Sequence, residues 1–169
     1  MYNMPITYYF TLNMSGLVPL ADFLGGVTLT PLQSIPETDI VEGVDTVLLG
    51  EHAYLYIRRR DQFDINSSLD RQARQMQYIR AFATQAFQRT KENPAMLLSL
   101  LETTAAYSLT NLSISEFSYL SPQIAQGDPS LEIVTLTSII AMGEIYAEYY
   151  LDEDAVYETV LDVYYQQID

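Results

Sequence analysis

Short segments with a two-residue hydrophobic repeat alternate along this chain with longer segments whose apolar residues recur at helical spacing. Residues 6–14 form the first such repeat, since every second side chain is apolar, and they predict a half-buried strand. Residues 131–136 are rich in β-branched side chains and predict another strand. Strands that alternate with helices predict an α/β domain, here a mixed β-sheet flanked by helices.

The remaining elements follow from capping and breaking residues. Gly25-Gly26 ends the first predicted helix, and the acids at 152–154 predict the start of the last helix rather than a Ca²⁺ site. Residues 31–46 predict an irregular excursion and 61–68 a polar loop. We further predict strands over 27–30 and 145–150 and a turn at 126–129. The predicted helices cover residues 15–24, 48–59, 70–91, 94–107 and 153–166, and another short helix begins at residue 113 or 115. The apolar stripe predicted for the longest helix consists of Ala73, Met76, Ile79, Ala83 and Phe87.

Length and composition restrict the classes of function. A chain of 169 residues with 49% hydrophobic residues suits one folded domain over residues 1–169. The absence of Cys excludes disulfides, thiolate metal sites and a Cys nucleophile, and the single histidine, His52, excludes a multi-histidine metal site. We expect a surface or packing role for His52 rather than general-base chemistry. No run approaches the roughly 20 apolar residues of a membrane span, and the first residues show no signal-peptide pattern.

Charge is strongly segregated along the chain. The net charge is −14, which disfavours nucleic acid as a partner. All eight cations, seven of them Arg, lie within residues 58–91, where three acids reduce the local net charge to +5. The rest of the chain holds the other 19 acids and no Lys or Arg. This distribution indicates either a bound anion at the basic segment or pairing of that segment with the acidic remainder.

The basic segment also has a specific arrangement. Arg58 and Arg60 lie at the end of one predicted helix, and Arg71, Arg74 and Gln75 share a face at the start of the next. A loop of about ten residues allows the two helix ends to lie side by side. Arginine donates bidentately to phosphate oxygens, and a helix N-terminus adds backbone donors. The alternative is that the arginines pair with the three acids of the same segment and stabilise the loop.

Three sequence blocks carry a family resemblance. Residues 22–27 read DFLGGV, residues 48–60 read LLGEHAYLYIRRR, and residues 71–75 read RQARQ. In this order and spacing they resemble the LytR-CpsA-Psr family, also described as cell envelope-related transcriptional attenuators. The resemblance is strongest over residues 8–80, and residues 81–169 resemble the C-terminal part of that domain.

The resemblance implies a function and a set of site residues. Members are extracytoplasmic, membrane-anchored phosphotransferases of mainly Gram-positive bacteria. They move a glycopolymer such as teichoic acid or capsule from an undecaprenyl-pyrophosphate carrier to peptidoglycan, with Mg²⁺ as cofactor. By motif position, the implied pyrophosphate ligands are Arg58, Arg60, Arg71 and Gln75. Asp22 and Arg74 are implied as supporting residues. For Asp22 we expect that it orients an arginine or caps a turn rather than taking part directly in catalysis, and Arg74 is either a ligand or part of a structural ion pair.

The chain departs from the family pattern in its upstream part. No segment matches the family's upstream strands and Mg²⁺-binding aspartates, and Ser68 stands where the family usually has Asp. We therefore expect an incomplete domain with only the C-terminal part of the site and without the Mg²⁺ ligands. Three hypotheses follow: a ligase that needs an upstream sequence or partner chain, a non-catalytic polyprenyl-phosphate-binding or regulatory module, or an inactive remnant that self-associates through its first strand. Leu17, Leu20 and Phe23 are predicted as core rather than as a lipid pocket.

Overall fold

The computed structural model describes residues 7–60, 67–126, 136, 138–143 and 147–165. They fall into two units, the larger within Thr7–Leu131 and the smaller containing Glu132–Asp169. The helices are α1 Leu17–Phe23, α2 Gly50–Arg58, α3 Ser67–Glu92, α4 Met96–Thr104, α5 Ile114–Gln126 and α6 Glu153–Tyr164. The strands are β1 Phe10–Leu12, β2 Val27–Leu29, β3 Thr46–Leu48, β4 Ser108–Thr110, β5 Ser138–Met142 and β6 Ala147–Leu151.

The strands form antiparallel pairs. In the larger unit β1 pairs with β4 and β2 pairs with β3, with Thr11 opposite Leu109 and Thr28 opposite Val47. In the smaller unit β5 pairs with β6. Helices and strands together confirm the α/β class, and each sheet among the described residues has two strands.

The core of the larger unit lies where α1 packs on α2, α2 contacts β3 and α3 contacts β2. Its largest fully buried apolar side chains include Tyr56, Leu24, Ile40, Leu48 and Val27. Leu17 belongs to this core, and Leu20 and Phe23 pack against it, as predicted for core rather than a lipid pocket. Gly25 and Gly26 both have positive φ, so they turn the chain sharply from α1 into β2.

Helix α3 presents a different face to the core than its hydrophobic spacing predicts. Ala73 and Ile79 of the predicted apolar stripe are exposed, whereas Arg74 and Tyr78 are buried. The prediction of the stripe is therefore wrong for these positions. The inner face is partly polar because its side chains meet backbone groups of neighbouring elements, which apolar periodicity does not detect.

Two glutamines of α3 bind the backbone of β2 and the residue after it. The Gln85 amide accepts from Thr28 N at 3.0 Å and donates to Thr28 O at 3.1 Å. Two turns earlier, Gln77 Nε2 donates to Thr30 O at 2.7 Å. These bonds satisfy polar groups of β2 that face away from β3, and they fix α3 beside the sheet.

The β1–β4 region is more exposed than the sequence predicts. Strand β1 has three residues instead of nine, and Tyr8, Phe10 and Met14 on its predicted buried face are 43–47% exposed. Asn13, not Ser15, caps the 3₁₀ turn that precedes α1. The three-residue strands β3 and β4 were missed, since so short a segment carries hardly more than one period of alternation.

Helix starts near the C-terminus follow their capping residues. Ser113 and Glu116 form a capping box at α5, in which Ser113 Oγ accepts from Glu116 N and Glu116 Oε2 accepts from Ser113 N. Asp152 accepts from the backbone of Asp154 and Ala155 at the start of α6, as predicted. Residues 131–135 of a predicted strand, 61–66 of the loop and 127–129 of the turn lie outside the described residues, and β5 begins at Ser138.

Candidate arginine site

The C-terminal end of α2 packs beside the first turns of α3. We call this meeting point the arginine junction and define it by Arg58, Arg60, Arg71, Arg74 and Gln75. The last carbonyls of a helix have no intrahelical partner and carry its partial negative charge. The first amides of the next helix carry a partial positive charge. The junction thus joins two helix ends of opposite polarity.

Arg74 closes the negative end of α2. Its side chain is 3% exposed, Nη1 donates to Tyr56 O at 2.9 Å, and Nη2 donates to Arg59 O. Burial lowers the pKa of Arg74, Tyr56 and Asp70 partly oppose that effect, and the positive charge of Arg71 adds a smaller lowering. No carboxylate of the described residues forms an ion pair with it. Within the described residues Arg74 therefore acts on carbonyl oxygens.

Gln75 contributes a second contact to the same helix end. Its Nε2 donates to Ile57 O at 3.1 Å, so the side chain is partly committed to the α2 backbone. An amide nitrogen carries two hydrogens and the amide oxygen accepts, which leaves Gln75 further capacity for a ligand.

The other arginines lie at the surface of the junction or close to it. Arg58 is exposed, and its guanidinium lies over the Tyr54 ring at 5.2 Å from the centroid. Arg60 is exposed and donates from Nε to Ser67 Oγ, the first residue of α3, at 3.1 Å. Arg71 is half-buried, and its positive charge slightly lowers the pKa of Arg74. Sequence spacing thus placed these residues correctly at two adjoining helix ends.

The hydroxyl of Tyr56 organises the backbone beneath the junction. It accepts from Leu32 N at 3.0 Å and donates to Gln77 Oε1 at 2.5 Å. Burial raises the pKa of Tyr56, and the Leu32 amide and the Arg74 charge partly oppose that effect. Arg74 also lies 5.7 Å from the centroid of the Tyr56 ring.

Asp22 lies at the opposite end of α2. Its Oδ1 accepts from Gly50 N at 2.8 Å, and a Cβ on Gly50 would lie 2.7 Å from Asp22 Oδ2. Helix α2 has nine residues, so about 13 Å separates this end from the junction. Of the two roles considered for Asp22, the structure therefore supports capping. Nearby, the buried Tyr78 hydroxyl has no hydrogen-bond partner among the described atoms, and burial, with a smaller effect of the Asp22 charge, raises its pKa.

His52 has a surface contact only. Its Nδ1 lies 3.4 Å from Asp39 Oδ1, and the two side chains are 42% and 80% exposed. An exposed pair of this kind adds little stability.

Metal ligands are sparse around the junction. Across residues 7–60, 67–126 and the described parts of the C-terminal unit, no group of three or more His, Cys, Asp or Glu side chains is arranged to hold a metal ion. Asp70 is the one acidic residue in the first turn of α3. These residues do not fit a Mg²⁺ site by themselves. No helix within the described parts of the chain has the length and apolar character needed to cross a membrane.

Sequence reasoning missed four residues that support the site. Tyr54 lies four positions before Arg58, so an i, i+4 aromatic–cation spacing was available as a signal. Ser67 was assigned to the loop instead of the helix start. Tyr56 and Gln77 carry no sequence signal, because their contact joins segments 21 residues apart.

Comparison with known proteins gives a family match and fold matches. The family model described as the LytR_cpsA_psr family matches residues 1–161. No curated protein matches the chain.

Solved structures share the fold at low identity. A transcriptional regulator from Enterococcus faecalis (EF0465) has a TM-score of 0.73 and 20% identity, over 94% of this chain and 58% of that chain. TagV of B. subtilis has a TM-score of 0.73 and 19% identity, over 98% and 67%. TagT bound to LI-WTA has a TM-score of 0.72 and 21% identity, over 95% and 60%. The chain thus spans about three fifths of the length of these structures.

Proposed function

The chain belongs to the LytR_cpsA_psr family, and on that premise we propose that its arginine junction binds the pyrophosphate of a polyprenyl-linked cell-envelope glycopolymer. The proposed setting is the extracytoplasmic face of the membrane. The proposed pathway partner is a peptidoglycan acceptor, with no role for nucleic acid. TagT, which shares the fold, is bound to LI-WTA, and this supports a glycopolymer as the class of ligand.

The observation that carries the proposal is that some residues of the junction bind the backbone of α2 while others are exposed to solvent. Arg74 and Gln75 satisfy the carbonyl oxygens that end α2, so the negative end of that helix is already compensated. Arg58 and Arg60 remain exposed, and Arg60 contacts Ser67 at the positive end of α3. Exposed guanidinium groups next to a helix N-terminus suit a multiply charged phosphate, which accepts several bidentate hydrogen bonds.

The proposed chemical role of these residues is charge stabilisation. In a phosphoryl transfer, negative charge grows on the leaving phosphate, and fixed cations lower the energy of that state. Arg58, Arg60 and Arg71 would hold the pyrophosphate in this way, with Gln75 adding an amide donor. The described residues lack a Mg²⁺ ligand set, so the role proposed for them is anion binding.

A non-catalytic role is the second candidate. Binding of a polyprenyl phosphate without transfer needs the arginines alone, and the part of the chain that the structure describes holds no group of three or more metal-ligating side chains. The two candidates share the same anion site and differ in their dependence on Mg²⁺.

The test is a titration of the purified chain with farnesyl pyrophosphate and with inorganic pyrophosphate, each with and without Mg²⁺. We expect saturable binding that weakens by at least about tenfold in Arg58→Ala and in Arg71→Ala. Arg89→Ala is the matched control, because it removes the same charge from α3 about 27 Å from Arg71 and should retain wild-type affinity.

Three results discriminate the possibilities. Absence of binding at millimolar ligand by a folded protein would refute the proposed function. Equal losses in Arg89→Ala would show a general charge effect rather than a site. Binding of the farnesyl ligand without Mg²⁺ would favour the non-catalytic role, and binding that requires Mg²⁺ would favour the phosphotransferase.

A further inference from the structure

We propose that Arg74 is a positioning residue, which sets the direction of the Arg58–Arg60 segment without contacting the ligand. This inference rests on the proposed function, because it concerns how the same anion site is held. It differs from the sequence-based expectation, in which Arg74 was either a pyrophosphate ligand or part of an ion pair.

The contacts of Arg74 place it behind the site. The guanidinium is 3% exposed, and its two terminal nitrogens donate to Tyr56 O and Arg59 O. Nε lies 3.4 Å from Asp70 O, and the Tyr56 ring lies against the same group. A group enclosed in this way has little capacity left for a phosphate, so its action on a ligand must be indirect.

The carbonyls that Arg74 binds belong to the backbone that determines the directions of the exposed Arg58 and Arg60. Arg59 lies between Arg58 and Arg60, and its backbone is extended at φ −55° and ψ 133° where α2 ends. Holding Tyr56 O and Arg59 O from one planar guanidinium fixes this change from helix to extended chain. The directions in which Arg58 and Arg60 leave the backbone are then fixed as well.

A lysine cannot replace this function. Its ammonium group is a single point of charge on a flexible stem, whereas the guanidinium donates from two fixed nitrogens to two acceptors. The charge contribution of Arg74 and its geometric contribution are therefore separable by Arg74→Lys.

The experiment measures affinity for farnesyl pyrophosphate in Arg74→Lys and Arg74→Gln, beside the thermal stability of each variant. Leu29→Ala serves as the stability control, because it weakens the core at β2 without touching the junction. We expect both Arg74 variants to remain folded and to bind about tenfold more weakly than wild type. We expect Leu29→Ala to lose thermal stability and to bind, at a temperature where it is folded, like wild type.

The outcomes decide between three roles. Full rescue by Arg74→Lys would mean that Arg74 acts only through its charge, and would overturn the proposal. Wild-type affinity in folded Arg74→Gln would also overturn it, as would loss of the fold in both Arg74 variants, which would make Arg74 a general core residue. If wild type itself does not bind, the proposed function fails instead.

Discussion

The two ends of α2 are closed by side chains of opposite charge, but only one of the two ends lies at the proposed binding site. Asp22 caps the N-terminal end through Gly50 N, and Arg74 closes the C-terminal end through Tyr56 O and Arg59 O. Each charge has the sign that favours its helix end. At the Asp22 end the packing is tight, because a single added carbon on Gly50 would meet Asp22 and Val18 at less than 3 Å.

The difference shows what distinguishes a helix cap from a binding site. At the Asp22 end, Asp22 satisfies the first amide of the helix, and the charged residue that stays exposed beside it, Glu51, is negative like a phosphate. At the Arg74 end, a buried residue performs the capping, and the neighbouring Arg58 and Arg60 stay exposed. Motif position alone groups Asp22 with the arginines, but the structure places Asp22 at the opposite end of α2, about 13 Å away.

The largest effect is expected from two matched tyrosine substitutions. Tyr56→Phe removes a hydroxyl that pairs with Leu32 N and Gln77 Oε1, so we expect a loss of about 2 kcal/mol in unfolding free energy. Tyr78→Phe removes a buried hydroxyl without a described partner and should change stability by no more than about 0.5 kcal/mol. Urea unfolding of both variants measures the difference. Equal losses would contradict the assignment of partners at the two ends.

A smaller effect is expected at the Asp22 cap. Asp22→Ala should cost about 1 kcal/mol of stability, because Gly50 N loses its acceptor, while affinity for pyrophosphate stays at the wild-type level. Asp152→Ala is the control, as it removes a cap from α6 at an exposed helix start. Denaturant unfolding and a pyrophosphate titration test this pair. Loss of ligand affinity in Asp22→Ala would assign Asp22 to the site after all.

The aromatic support of Arg58 gives a smaller expected change. Tyr54→Leu removes the ring below the guanidinium, and we expect affinity for pyrophosphate to fall by about two- to fivefold. Phe87→Leu removes the analogous ring below Lys91, 4.7 Å from its ammonium and away from the junction, and should leave affinity unchanged. Isothermal titration of both variants makes the comparison. An unchanged Tyr54→Leu would show that the ring does not orient Arg58.

The smallest effect concerns a helix start that is capped locally instead of by a distant residue. Hydrogen bonds from Ser113 and then Tyr8 hold the pKa of Glu116 below its ordinary 4.5. A lowered folded-state pKa contributes stability above about pH 4.5, and this contribution is lost as the pH falls through the lowered value. The protection factors of the first α5 amides, which compare the exchange rate with the intrinsic rate at each pH, should therefore fall below pH 4.5, and less so in Glu116→Gln. An NMR titration of Glu116 at or above its ordinary pKa would refute this expectation.

Much of the helical framework was predictable because its signals are local. Gly25-Gly26 after α1 and Asp152 before α6 mark boundaries through backbone conformation and capping, which depend on few neighbours. The same holds for the shared face of Arg71, Arg74 and Gln75, which follows from helical spacing. These local signals were enough to predict that the arginines lie at two adjoining helix ends.

The misassigned features depend on contacts between distant segments. Ile79 has an apolar side chain but is 48% exposed. Arg74 is buried because its guanidinium donates to carbonyl groups at the end of α2 that have no partner within the helix. Strand β3 has three residues and forms only because Val27–Leu29 lies opposite. Asp22 has the same sequence neighbourhood as the family motif, but only the packing of α1 on α2 shows which helix end it faces.

The bidentate contact of Gln85 with Thr28 has a consequence for assembly of the molecule with others. A side-chain amide presents the same donor and acceptor as a peptide group, so Gln85 occupies the place that a neighbouring strand would take. The outer edge of β2 is thus blocked at its central residue. An incoming chain that sought to extend this sheet would have to displace α3, which protects β2 from templating edge-to-edge aggregation.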